Sequence, residues 1–299
     1  MKLCSPSPTP ALFGKLPCAL DFVRVNHSSA ESIALDRWLQ AALQRLAARN
    51  RAWPAGQLTF TFAIDAEHSL VGVAADSRDR AGRRFPVAVY ARVPRPPQLA
   101  RGTAAIVLAS EAFVEAARAL LAHSAELSLA KLPLRLRRLP APMAHDVHAA
   151  AEEIAGELAT RSLTAFAAPL FRAAPDPARC ARAAFEQLRG WRSRAGNAIE
   201  CFDCPVTSAR DVAVWAYWLE LEHGRPSAAL WDLPGRERAM LASGPLPERA
   251  PLFWGLPPPS HPQLRRIGED AALAPDAAGG EQSLAVVFDQ LARALVPAP

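Results

Sequence analysis

Nowhere does the chain hold an apolar stretch approaching the roughly 20 residues that a membrane-spanning helix needs. Its longest apolar pieces are short ones such as Ala104 to Ala109 and Val212 to Leu219, so a spanning helix is excluded. No apolar run precedes Cys4 in Met1-Lys2-Leu3-Cys4. Neither a secretory nor a lipoprotein-type signal is readable there, and the expected location is cytoplasmic. Lysine is nearly missing too: Lys2, Lys15 and Lys131 are three of 34 basic residues. The net charge of +5 is carried by arginines scattered among Ala and Pro, a bias that GC-rich coding produces without contact to DNA. No basic face interleaved with aromatics stands out, so a nucleic-acid partner is not expected. The densest basic stretch, "LPLRLRRLP" at 132 to 140, alternates with period two and predicts a half-exposed strand with its leucines inward.

Cysteine is also sparse. The five residues Cys4, Cys18, Cys180, Cys201 and Cys204 are odd in number and widely spaced, in a chain long enough to fold without disulfides, so reduced thiols are expected. "CFDC" has metal-ligand spacing but no second pair or histidine couple to close a zinc site. A thioredoxin-like role is disfavoured because Pro205 follows at once and a strand is expected next.

Enzyme signatures are missing: there is no G-x-S-x-G elbow, no P-loop, no G-x-G-x-x-G turn, and no carboxylate pair in an acid/base context. One constellation remains. His145 and His148 stand at i and i+3, with Glu152 four residues on, so a helix brings all three toward one side and a metal-dependent hydrolase is the alternative functional reading. A solvated polar face explains the trio equally well.

What is present is enough apolar material, 51% of 299 residues, for real cores and about two domains. "ESIALDRWLQAALQRLAARN" sets Ile33, Leu35, Trp38, Leu39, Ala42, Leu43 and Leu46 on one helical stripe. "QLTFTFAID" alternates strictly, with Leu58, Phe60, Phe62 and Ile64 facing inward and Thr59, Thr61 and Ala63 on a partly polar face. "HSLVGVAAD" and "RFPVAVYARV" repeat the strand pattern, and the short links between them favour antiparallel pairing. "SEAFVEAARALLAHSAEL" reads as a helix with Ser110 at its N-cap.

Two more amphipathic helices, "HDVHAAAEEIAGELATRSL" and "PARCARAAFEQLRGWRSR", flank a Pro-rich link from Pro169 to Pro177. "DVAVWAYWLELE", "SAALWDLPG", "AMLASGPLP" and "PLFWGLPP" are short apolar runs that read as strands. The tail "EQSLAVVFDQLARAL" returns to helix, with Leu284, Val287, Phe288, Leu291 and Leu295 in line. The expected class is α+β, in two lobes, residues 1–140 and 141–299, each a mainly antiparallel sheet packed with amphipathic helices.

The most distinctive piece is "DSRDRAGRRFPVAV", 76 to 89. Gly82 lets the Asp79–Arg80 turn bend sharply, and Pro86, which has no N–H to donate, suits a strand start at Phe85. Two readings stand: a charged hairpin connection held by an Asp–Arg pair, or a rigid guanidinium-rich turn offered to an acidic or phosphorylated partner.

"FGKLPCALDFVR", "LDRWLQAAL" and "SRDRAGRRFPVAV" resemble, in order and spacing, the amino-terminal domain of TagF (also called ImpM), the type VI secretion-associated protein. The matching positions are Gly14, Lys15, Leu16, Pro17, Asp21, Phe22, Asp36, Trp38, Leu39, Gln40, Ser77, Asp79, Arg80, Gly82, Arg83, Phe85 and Pro86. Leu20 stands where that pattern has Gly before Asp-Phe, so a φ > 0 conformation expected there would be strained. The resemblance implies a non-enzymatic, cytoplasmic, post-translational repressor of type VI secretion without a cofactor. Its implied partner is the forkhead-associated scaffold protein of the apparatus, and it would oppose a threonine-phosphorylation route to assembly. On this reading Leu16 and Phe22 are buried with Trp38 as core. Lys15 and Asp21 fix the first turn or face the partner.

Overall fold

The computed structural model describes residues 9–26, 29–48, 50–53, 55–95, 102–190, 201–223, 227–232, 237–243, 264–266 and 281–293. Among the described residues nine strands join in one sheet: β1 (Ala11–Lys15), β2 (Phe22–Val25), β3 (Gln57–Ala63), β4 (His68–Ala75), β5 (Val87–Pro94), β6 (Cys201–Pro205), β7 (Ser227–Trp231), β8 (Arg238–Ser243) and β9 (Leu264–Arg266). Their order is β2-β1-β5-β4-β3-β7-β8-β6-β9. Every pairing is antiparallel except β6 with β9.

The α+β class and the antiparallel meander β3-β4-β5 are as the alternation predicts. The two expected sheets are one, however. Thr59 to Thr61 of β3 pair with Trp231 to Ala229 of β7, so strands from the two halves continue each other edge to edge. Alternation within one chain segment reports which face is buried and carries no information on which distant strand completes the edge.

Period two sorts the strand side chains into two cores. Leu12, Val71, Val73, Val87 and Val89 point to one face. Phe13, Leu70, Ala74, Ala88 and Tyr90 point to the other. The second face is covered by α1 (Ser29–Ala47) through Leu35, Trp38, Leu39, Ala42 and Leu46. Ile33, placed on the stripe by periodicity, is 51% exposed.

The first face carries the remaining helices: α2 (Gly102–Ala109), α3 (Glu111–Ala122), α4 (Leu132–Arg137), α5 (Ala144–Thr160), α6 (Leu163–Leu170), α7 (Pro177–Gly190), α8 (Ala209–His223) and α9 (Leu284–Arg293). With both faces covered, Thr59 is buried rather than wetted. Its hydroxyl donates to Asp232 Oδ2 at 2.9 Å and accepts from Arg118 Nη2 at 3.0 Å.

Two apolar runs expected as strands are helices. "DVAVWAYWLELE" lies in α8, where Val212, Ala213, Val214, Trp215, Ala216, Trp218 and Leu219 are all buried. A helix apolar on nearly every side belongs inside the protein and loses its amphipathic signature. "LPLRLRRLP" forms α4: Leu132 and Leu136, at i and i+4, are buried and Leu134 faces out. Leucines at i and i+4 satisfy either period, and Pro133 in the first turn favours helix.

"CFDC" is itself strand β6 and is followed by helix α8, where a strand was expected. Ser110 occupies the N-cap position of α3 without a side-chain cap bond, because α2 runs straight into it. Ser110 N–H donates to Ile106 O at 3.1 Å and its carbonyl accepts from Val114 N–H at 2.8 Å. The Pro169–Pro177 link is partly helical, with Pro169 inside α6. "PLFWGLPP" and Leu295 lie outside the described residues.

Candidate functional site

Gly14 brings the first and third sequence motifs into backbone contact. It pairs with Val23 on one side and Val87 on the other, at φ +138°. A Cβ there would lie 2.2 Å from Pro86 O and 2.5 Å from Val87 Cα. Only glycine fits this approach. Pro86, buried and without an N–H, is accommodated just before β5 opens at Val87.

Asp79 sits at the centre of the junction, with its side chain fully enclosed. Lys15 Nζ, itself buried, lies 3.0 Å from Asp79 Oδ2, and Arg83 Nε donates to the same oxygen at 2.7 Å. The other oxygen, Oδ1, accepts from Ala81 N–H at 3.0 Å and Arg83 N–H at 2.9 Å. Burial by itself pushes the Asp79 carboxyl up. Lys15, the Arg83 N–H and the Arg83 side chain outweigh it and hold the pKa down at about 2.

Further bonds weld this turn to the start of the chain. Ser77 Oγ donates to Lys15 O at 2.7 Å, Arg80 N–H donates to Ala19 O at 2.7 Å, and Arg83 Nη2 donates to Leu20 O. Gly82, at φ +82°, closes the turn through its N–H to Asp79 O at 2.9 Å.

Phe22 is 38% exposed, against the burial expected of it. As the first residue of the outermost strand it covers other groups without being covered itself. Its ring stacks on Phe13 at 5.6 Å and meets Phe85 edge-on at 4.7 Å, and Lys15 Nζ lies 5.3 Å from its centre. Phe22 thereby shields the Lys15–Asp79 pair from water. It does not touch the Trp38 cluster, where Trp38 packs on Phe60 and Phe62 at 5.0 and 5.9 Å. Leu16, Trp38, Leu39 and Phe85 are buried. Pro17 is half-buried in the turn after β1.

The remaining motif residues are placed differently. Asp21 is exposed and accepts from Phe22 N–H at 2.8 Å. Asp36 accepts from Gln40 Nε2 at 2.9 Å along the surface of α1, away from the Asp79 cluster. Leu20 is absent from the positive-φ residues, so the strain expected from its replacing Gly does not arise; it is 56% exposed. Leu20, Phe22 and Arg80 are thus exposed where the turn meets the start of the chain, over a buried, ion-paired base, while Arg84 pairs with Asp76 at 3.5 Å.

His145, His148 and Glu152 lie on the exposed side of α5. Among the described residues no three His, Cys, Asp or Glu side chains are grouped to hold a metal ion. Cys204 is buried in β6, and its thiol is pushed well up by burial, with Asp203 adding to the effect; such a thiol is inert.

Sequence reasoning missed a second buried ion cluster. Glu220 of α8 accepts from Thr103 N–H at 3.1 Å and from the Thr103 hydroxyl at the start of α2, and Arg95 lies 3.7 Å away. Burial lowers the Arg95 pKa, and Glu220 opposes that shift. The available signal was the pair of carboxylates in "WLELE", acids inside an otherwise apolar run.

Residues 11–139 match the family model described as the TagF N-terminal domain, Type VI secretion system-associated. No curated protein matches the chain. Among solved structures, the crystal structure of PA0076 from Pseudomonas aeruginosa PAO1 is similar. It is 17% identical, with a TM-score of 0.49, and the match covers 85% of this chain and 99% of that one.

Proposed function

Because residues 11–139 match the TagF N-terminal domain, described as Type VI secretion system-associated, we propose that the chain is a non-enzymatic, cytoplasmic accessory protein of that system. It represses secretion after translation by binding the forkhead-associated scaffold protein. One observation carries the choice of surface. Leu20, Phe22 and Arg80 are exposed at a corner whose foundation, Lys15, Ser77, Asp79 and Arg83, is fixed by ion pairs and hydrogen bonds. A rigid corner with apolar and guanidinium groups loses little freedom on binding and suits an acidic or phosphorylated surface.

Arg80 and Arg83 divide the labour. Arg83 is tied through its side chain to Asp79 and Leu20, whereas Arg80 contributes only its backbone to the turn. Arg80→Glu is expected to melt within about 0.5 kcal/mol of wild type, as exposed substitutions do. It should weaken capture of the purified scaffold by roughly 2 kcal/mol, about thirty-fold. Arg83→Ala is expected to lower melting and binding together. Cells lacking the protein should secrete more. Secretion abolished by the deletion would make it an assembly component, and undiminished scaffold binding by Arg80→Glu would move the partner surface elsewhere.

A further inference from the structure

Between Leu127 and His145 there is no Asp or Glu, yet the segment carries Lys131, Arg135, Arg137 and Arg138. All four are exposed, and none has an acidic partner among the described residues. Arg118, Arg161, Arg210 and Arg238, by comparison, each meet a carboxylate.

Two large apolar side chains stand among these cations, Leu129 at 43% and Leu134 at 56% exposure. At 3.6 residues per turn, Leu134 lies opposite the buried Leu132 and Leu136, with Arg137 and Arg138 on either side of it. Outward leucines ringed by uncompensated arginines match the pattern of a helix resting in a lipid interface, where the apolar group enters the acyl boundary and the cations meet phosphates. A nucleic acid would satisfy the arginines and leave the leucines without a partner. A peptide strand would find no free sheet edge on a helix.

We propose that the face from Leu129 to Arg138 docks on an anionic phospholipid surface. The contact is peripheral and reversible, and it is independent of the scaffold-binding corner. Each Lys or Arg near such a surface contributes about five-fold to partitioning. The double variant Arg137→Glu/Arg138→Glu should therefore reduce binding at least about 25-fold. Leu134→Ala, by withdrawing apolar carbons from the interface, should reduce it by about ten-fold. All three positions are exposed, so the melting curves should not move.

The test is co-sedimentation of the full chain with phosphatidylcholine vesicles containing phosphatidylglycerol, against phosphatidylcholine alone, at low and high salt. The expected result is sedimentation with the anionic vesicles at low salt only, lost in both variants. No sedimentation, or loss in one variant alone, overturns the proposal. Capture on duplex DNA or immobilised poly-glutamate as strong as on the vesicles also overturns it, the former marking a bare polyanion site and the latter an acidic-protein site.

Discussion

Replacing Gly14 by Ala tests the contact on which the β1–β5 junction rests. The new Cβ would lie 2.2 Å from Pro86 O and 2.5 Å from Val87 Cα, both backbone atoms that cannot rotate away. Forcing strands apart in a filled core costs about 1–3 kcal/mol. The residue would also carry a side chain at φ +138°, worth a further ~1–2 kcal/mol. The sum is about 4 kcal/mol, and at about 2 °C per kcal/mol for a chain of this size the melting temperature should fall by about 8 °C. Gly82→Ala is the internal control, since its φ is +82° but nothing lies within 4 Å of the added Cβ. Only backbone strain remains there, about 1–2 kcal/mol, or ~2–4 °C. Circular-dichroism melting of the two variants side by side gives the answer. Equal losses would mean that Gly14 does not approach β5 closely, and the argument that glycine is required there would fail.

Trp38→Ala should cost about 3–5 kcal/mol, because the indole is fully buried against Phe60 and Phe62; an unchanged urea midpoint would place Trp38 outside the core. For Asp79 the folded pKa, about 2, lies below the ordinary value near 4. The stability it adds is therefore complete above pH ~4 and lost as pH falls through about 2. The gap in stability between wild type and Asp79→Asn should be constant near neutrality and close between pH ~4 and ~2; a gap that persists in strong acid contradicts the ion-pair account. Glu220→Ala leaves Arg95 buried without its acid and Thr103 N–H without its acceptor, and should cost about 3–5 kcal/mol. Native hydrogen exchange at the start of α2 should rise in parallel, and protection equal to wild type would refute it.

The strands β3, β4 and β5 were legible because their apolar residues alternate and their links are short. The helix α1 was legible because Leu35, Trp38, Leu39, Ala42 and Leu46 recur at helical spacing. α8 was not: an apolar run with no polar face has the same composition as a buried strand, and length alone argues for helix. At the site, each motif could be seen but not their convergence. Lys15 and Asp79 are far apart in sequence and meet only because β1 inserts between β2 and β5. The turn at Asp79 favours the structural reading for Asp79 and Arg83, and leaves Arg80 free for a partner. An aromatic in a motif suggests core, whereas Phe22, at the sheet edge, serves as a cover.

The pairing of β3 with β7 has a consequence for synthesis. Thr59 waits for Trp231, and Thr61 for Ala229. A ribosome adding ~5–20 residues per second needs roughly 10–30 s to cover that separation. Throughout that interval the nascent chain presents an open strand, Gln57–Ala63, rich in Phe and Thr and without a charge, which is the composition that recruits foreign strands. Yield in cells should therefore depend on elongation speed and on chaperones that hold β3 until its distant neighbour leaves the ribosome.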